Sequence, residues 1–171
     1  MSQALDYYVR NMGRMSQASF LERVACPVLV EATATVDANE SERAFRTEYV
    51  SLTDVMLSRA QSPAQREVQL VKKREGALFS GHIGVGRTPN LDICIPRHGI
   101  SKFHAYFSVG EDGTHQLTDK DSKNGTFVSG VRLTPGVPVA VTNSTEVRFA
   151  AHVFRFMEPP DFYELLRSMS A

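Results

Sequence analysis

Between residues 66 and 157 the chain alternates apolar and polar positions in short runs. Phe103, Ala105, Phe107 and Val109 are separated by His104, Tyr106 and Ser108, the two-residue period of a strand with one buried face. Comparable runs at 68–73, 82–86, 92–95, 116–119, 126–129, 146–149 and 153–157 are set apart by clusters of Gly, Pro, Asn and Asp. Short strands at close spacing, with no helical stretch among them, predict a mainly β protein built as a sandwich.

The first 65 residues carry a different period. Leu5, Tyr8, Val9, Met12 and Met15 recur at helical spacing, Gly13 interrupts them, and Ser19-Phe20-Leu21-Glu22 has the form of a capping box opening a second short helix. Pro27 ends the helical pattern, Val28-Leu29-Val30 is strand-like, and 33–43 reads as a polar loop. Residues 44–59 fit helix and strand equally. Ser62-Pro63 is the best boundary before the sandwich. After it, Pro159-Pro160 stops the last strand, and Asp161 is placed to cap a short helix whose apolar stripe is Phe162, Leu165, Leu166 and Met169. The expected division is an extension at 1–65, helical in part, a sandwich at 66–158 and a C-terminal helix at 159–171.

Composition narrows the function classes. Among 171 residues, 42% are apolar and 22% charged, the balance of an ordinary globular chain. Nineteen Lys and Arg offset nineteen Asp and Glu, so no overall field draws the chain to nucleic acid or to an anionic membrane, and an anion site has to be local. Residues 1–65 hold six Arg, no Lys and eight acids, so every Lys lies in the sandwich region. Cys26 and Cys94 are too few for a disulfide framework or a four-Cys zinc site. The start has neither the basic residues nor the apolar run of a signal peptide, and no stretch approaches a membrane span, so the expected location is cytoplasmic.

No catalytic pattern emerges. His82, His98, His104, His115 and His152 form no metal-ligand spacing, and no nucleophile elbow is present. Gly81, Gly84 and Gly86 have dinucleotide-loop spacing, but Thr88-Pro89 follows where a helix would have to begin. No enzyme activity, metal or cofactor is expected.

Three polar clusters sit instead at turns between strands: Gly86-Arg87, Ser101-Lys102-Phe103-His104, and Asp119-Lys120-Asp121-Ser122-Lys123-Asn124-Gly125-Thr126. In this order they resemble the forkhead-associated (FHA) domain, whose pattern is GR, SxxH and DxxSxNGT. The resemblance covers about residues 67–157 and continues through 126–133, which looks like the strand-turn-strand following NGT. It implies an eleven-stranded FHA-like sandwich whose loops bind a phosphothreonine peptide, hence a partner phosphorylated in a Ser/Thr protein kinase pathway, with no nucleic acid and no membrane involved.

Carried over residue by residue, the resemblance assigns phosphate contact to Arg87 and Ser101, a further donor to Lys102, a place beside the phosphothreonine to Lys123, and the peptide backbone to Asn124. The chemistry stands without the name, because a phosphate dianion is held best by charge-assisted hydrogen bonds and a guanidinium offers a fixed fork of donors. Arg97 and His98 lie in the loop where the family reads side chains downstream of the phosphothreonine. Gly86, His104, Asp119, Gly125 and Thr126 are expected to support the site. One departure is Ala150, which follows Phe149 where the family often has Gly. Some FHA proteins are regulated by a phosphorylated threonine outside the domain, and Thr33 or Thr35 would be placed for that role. The alternative function is an FHA-fold assembly protein that binds an unphosphorylated partner.

Overall fold

The computed structural model describes residues 2–32, 66–77 and 79–170. The expected boundary at Ser62-Pro63, the ambiguous stretch at 44–59, and Thr33 and Thr35 lie outside the described residues. The elements are β1 (Gln3–Ala4), α1 (Leu5–Met12), α2 (Gln17–Arg23), β2 (Val28–Glu31), β3 (Glu67–Leu70), β4 (Ile83–Gly86), β5 (Ile93–Cys94), β6 (Ala105–Val109), β7 (His115–Asp119), β8 (Thr126–Val128), β9 (Val131–Arg132), β10 (Val139–Ala140), β11 (Glu146–Phe149), β12 (His152–Met157) and α3 (Pro159–Ser170). The protein is mainly β, as the alternation predicts. One sheet has the order β1-β3-β2-β12-β11-β8-β9 and the other β10-β7-β6-β4-β5.

The two sheets enclose a core of Leu29, Val85, Ile93, Phe107, Leu117, Val147, Phe149, Phe154 and Phe156, among others. Phe107 and Leu117 face each other across β6 and β7, and Val147 and Phe154 across β11 and β12, which is what period-2 strands produce when one face of each sheet is buried. The alternation does not hold everywhere: Val109 at the end of β6 is 56% exposed, His104 is buried although it stands among the polar spacers, and β4 and β7 each end in three consecutive buried residues.

Strand β2 is the principal departure from the sequence reading. Although it lies upstream of the expected boundary, it pairs antiparallel with β12 on one side and β3 on the other. All four of its residues are buried. Leu29 points into the sandwich core, while Val28 and Val30 point to the opposite face, so an unbroken apolar run is what this central position requires. The outer face is roofed by the helices: Leu5 and Tyr8 from α1, Phe20 from α2, and Phe162, Tyr163 and Leu166 from α3 cover Val28, Val30, Val68 and Met157. Tyr8 meets the Phe162 ring edge-on at 5.4 Å, and the Tyr163 hydroxyl donates to the Met15 carbonyl at 2.7 Å. Gly13 ends α1 where a Cβ would stand 2.0 Å from Ser170 Oγ on α3; the interruption serves a close helix approach.

Helix ends differ from expectation. Ser16, not Ser19, caps α2, its hydroxyl accepting from Ser19 N at 3.3 Å, so Ser19 and Glu22 lie inside the helix. Helix α3 begins at Pro159 rather than after Asp161. Proline has no N–H to lose in a first turn, so the pair that ends β12 also starts the helix. Strands β1 and β10, two residues each, are too short to show a period. No described helix is long and apolar enough to cross a membrane.

Candidate functional site

The three polar clusters converge at one end of the sandwich through a continuous set of hydrogen bonds. Arg87, just past β4, donates its backbone N–H to the Ser101 carbonyl at 3.0 Å. The Ser101 hydroxyl accepts from Lys123 N at 3.1 Å, and Asn124 Nδ2 donates to the Gly99 carbonyl at 2.8 Å. Thr88 Oγ1 donates to the Lys102 carbonyl at 3.0 Å. Arg87, Ser101, Lys102, Lys123 and Asn124, far apart in sequence, thus share one rim.

Three of these residues are open to solvent. Arg87, Lys102 and Lys123 are exposed, and among the described residues no side chain or carbonyl partners the Arg87 guanidinium or the Lys102 ammonium. Because Ser101 Oγ accepts from Lys123 N, its hydroxyl proton remains to be donated. Asn124 uses one N–H on Gly99 and keeps its amide oxygen and second N–H. A guanidinium fork, a hydroxyl and ammonium groups on a braced rim are donors suited to a multivalent oxyanion.

Beneath the rim, buried groups fix the loops. His104 is fully buried; its Nδ1 accepts from Ser101 N at 3.1 Å and its Nε2 lies 3.1 Å from the Gly125 carbonyl. A ring that accepts at Nδ1 has its proton on Nε2, so His104 is neutral and donates to Gly125. The Gly125 carbonyl also accepts from Ala150 N at 3.0 Å. Asp119, buried, accepts from Ser122 Oγ at 2.6 Å, Thr126 Oγ1 at 2.5 Å and Ser122 N at 3.0 Å, closing the 119–126 loop. Gly125 stands at φ +81°, and a Cβ there would lie 2.8 Å from Arg132 Nε. Ala150 occupies φ +55°, the left-handed region that explains why glycine is common at this position.

Burial lowers the His104 pKa below the ordinary 6.5, against the opposing influence of the Gly125 carbonyl and Asp119. With the folded pKa depressed, the stability tied to neutral His104 is fully present above pH 6.5 and is lost as pH falls from there through the folded value. The His104 ring resonances should therefore titrate with a midpoint below 6.5, and the denaturation midpoint of the protein should fall between pH 7.5 and 5.5. A His104 midpoint above 6.5 would contradict the neutral assignment.

Gly86 is required by a close approach rather than by its φ: a Cβ would stand 2.4 Å from the Lys102 carbonyl and 2.7 Å from Leu91 Cδ1. Since the carbonyl belongs to the rim backbone, Gly86→Ala should cost about 1–3 kcal/mol of stability, read as a lowered denaturant midpoint at unchanged slope.

Arg97 and His98 are placed differently. The Arg97 side chain turns away from the rim to Glu31 and Glu67. The His98 carbonyl lies 3.0 Å from His152 Nε2, and His98 itself is exposed. Sequence reasoning had no role for Thr88, Gly99 or Ser122. Ser122 stands within the DxxSxNGT pattern and was open to assignment from it; Thr88 and Gly99 carry no local mark. Among the described residues no group of three or more His, Cys, Asp or Glu stands together as metal ligands require, and Cys26 and Cys94 are free thiols.

Residues 83–150 match the family model of the FHA domain. The FHA match begins at β4 and ends at Ala150, so it leaves out β1–β3, β12 and all the helices. Among solved structures, the chain is similar to the FHA domain of the CT664 protein from Chlamydia trachomatis, at 28% identity over 47% of this chain and 81% of that one, with a TM-score of 0.42. It is also similar to the FHA-2 domain of an ABC transporter from Mycobacterium tuberculosis, at 28% identity over 51% and 77%, TM-score 0.41. A third similarity is to Mycobacterium tuberculosis EmbR in complex with a low affinity phosphopeptide, at 24% identity, TM-score 0.41, covering 47% of this chain but only 20% of EmbR. No curated protein matches the chain as a relative.

Proposed function

We propose that this protein is a cytoplasmic interaction module that binds a phosphothreonine segment of a partner protein in Ser/Thr kinase signalling, without catalysis and without a cofactor. The FHA family is known for phosphothreonine-dependent peptide binding. The observation that carries the reading is the exposed Arg87 guanidinium, without a partner among the described residues, on backbone held at the end of β4 beside the hydroxyl of Ser101. A phosphate brings about −1.5 to −2 charge and three acceptor oxygens, which match the fork of Arg87, the hydroxyl of Ser101, and the ammonium groups of Lys102 and Lys123. Asn124 then holds the peptide backbone with its remaining amide valences, and His104, Asp119, Gly125 and Thr126 keep the loops in register.

An oriented phosphothreonine library, screened on the full chain, tests this reading. Enrichment of phosphothreonine sequences over their unphosphorylated counterparts is expected; a screen without enrichment would favour the alternative, an FHA-fold assembly protein whose partner is not phosphorylated. Phosphoserine versions of the enriched sequences should bind more weakly by at least the ~1 kcal/mol of one buried methyl group. Equal titration of both forms would contradict a site shaped to threonine.

A further inference from the structure

An open, exposed groove between the α1–α2 turn and α3, lined by Arg14 and Arg167, has no unpartnered buried polar group among the described residues aimed into it. The stacked Phe79, Phe103, Tyr106 and His82 rings lie beside the five-stranded sheet with nothing to indicate an occupant. A buried ion pair next to the rim carries more.

Arg97 lies in the loop joining β5 to β6, four residues before Ser101. Its guanidinium is bidentate on Glu31: Nη1 donates to Oε1, and Nη2 to Oε2 at 3.2 Å. Nη2 also lies 3.3 Å from Glu67 Oε2. Glu31 Oε2 accepts in addition from Glu67 N at 3.1 Å. Only 7% of the Glu31 side chain and 20% of that of Arg97 are exposed. The pair spans the sandwich, because Arg97 precedes strands of the five-stranded sheet while Glu31 and Glu67 belong to β2 and β3 of the other.

The same loop makes two further contacts: the His98 carbonyl lies against His152 of β12 in the other sheet, and the Gly99 carbonyl receives Asn124 from the loop joining β7 to β8. Ile100 N then donates to the Arg97 carbonyl at 3.3 Å. Arg97 therefore anchors the short stretch of backbone that sets where Ser101 and Asn124 stand. Turning the guanidinium out toward a ligand would leave the buried Glu31 carboxylate without its counter-charge, which is costly in a low-dielectric site.

We infer that Arg97 is a positioning residue, and that its ion pair with Glu31 and Glu67 makes the N-terminal strand β2 part of the phosphopeptide-binding unit. This rests on the function proposed above, which it deepens by making binding depend on a residue outside the FHA match. Two assignments for Arg97 give opposite signs for Glu31→Gln. If Arg97 read the ligand, releasing it from Glu31 would leave affinity unchanged or raise it. If Arg97 positions the loop, the release lowers affinity.

The experiment compares the full-length protein with its Glu31→Gln and Arg97→Met variants, titrating a panel of phosphothreonine peptides that differ downstream of the phosphothreonine. Both variants should weaken every peptide by the same factor, roughly tenfold, without re-ranking the panel. Amide exchange should quicken at Ile100 and Lys123 and stay unchanged at Leu117 and Val147 in the sheets. Unchanged or increased affinity in Glu31→Gln, or a re-ranked panel in Arg97→Met, would overturn the inference. Where Arg97→Met does not fold, Glu67→Gln removes only the 3.3 Å contact and should act in the same direction by a smaller factor; no change there would equally overturn it. If the wild type binds none of the peptides, the proposed function falls, and the exchange data decide the anchoring alone: unaltered exchange at Ile100 and Lys123 in Glu31→Gln contradicts it.

Discussion

A fragment beginning at residue 66, the start that the alternating pattern suggests for the sandwich, is expected not to fold. Its share of the seven-stranded sheet would lack both β1 and β2, leaving β3 with no partner strand and β12 with an unpaired edge. It would also lose Leu5, Phe20, Val28 and Leu29, each with no exposed surface in the whole chain. Burying a side chain of this size contributes about 1.5–3 kcal/mol, so these four alone approach the whole stability of a typical domain, about 5–15 kcal/mol. The apolar surfaces of Val68, Met157, Phe162 and Leu166 would then face water. Thermal and urea denaturation followed by circular dichroism should show a cooperative transition for the whole chain and none for 66–171. A fragment that melts cooperatively near the full-length midpoint would mean that β2 and the helices are an addition to an independent sandwich.

Replacing Arg87 by Ala should weaken phosphopeptide binding by about 1.5–3 kcal/mol, roughly ten- to a hundredfold, because the contact proposed for its guanidinium is charge-assisted. Since Arg87 is exposed and its backbone bond to Ser101 is retained, stability should change by less than about 0.5 kcal/mol. Arg87→Lys keeps the charge but not the fork and should fall between wild type and Ala. Ser101→Ala should act in the same direction with a smaller effect, near 1 kcal/mol for a hydroxyl donor, although it also removes the acceptor of Lys123 N. Calorimetric titration paired with a denaturation curve for each variant separates the two effects. An Arg87→Ala variant with wild-type affinity would remove Arg87 from the site.

The inward residues of the sandwich are legible because a strand with one wet face leaves a two-residue rhythm, as Ala105, Tyr106 and Phe107 do. The rim is legible for another reason: its donors come in short motifs at turns. Strand β2 leaves no such rhythm. Val28-Leu29-Val30 reads as a strand, but a run apolar on both faces carries no mark of which strands flank it. Its partners come from residues about 40 and 125 positions downstream, as the registers with Gln69 and Phe156 show. The pairing of Arg97 with Glu31 joins positions 66 residues apart, and neither side chain differs in sequence from a solvated surface charge. Ser16 carries no capping-box partner of its own in the sequence, whereas Ser19 and Glu22 one turn later have the spacing of one, so the true cap of α2 is masked. Ala150 stands out in the sequence as a departure, and its φ of +55° shows why glycine suits that position.

Affinity is expected to depend on a phosphate at the rim built by Arg87, Ser101 and Lys123. The most direct test is calorimetric titration of the full chain with one threonine peptide in two forms, identical except for the phosphate. The phosphorylated form is expected to bind with a defined stoichiometry while the unphosphorylated form shows no saturable heat, and raising the salt concentration should weaken the former. Equal affinity for the two forms would contradict the claim.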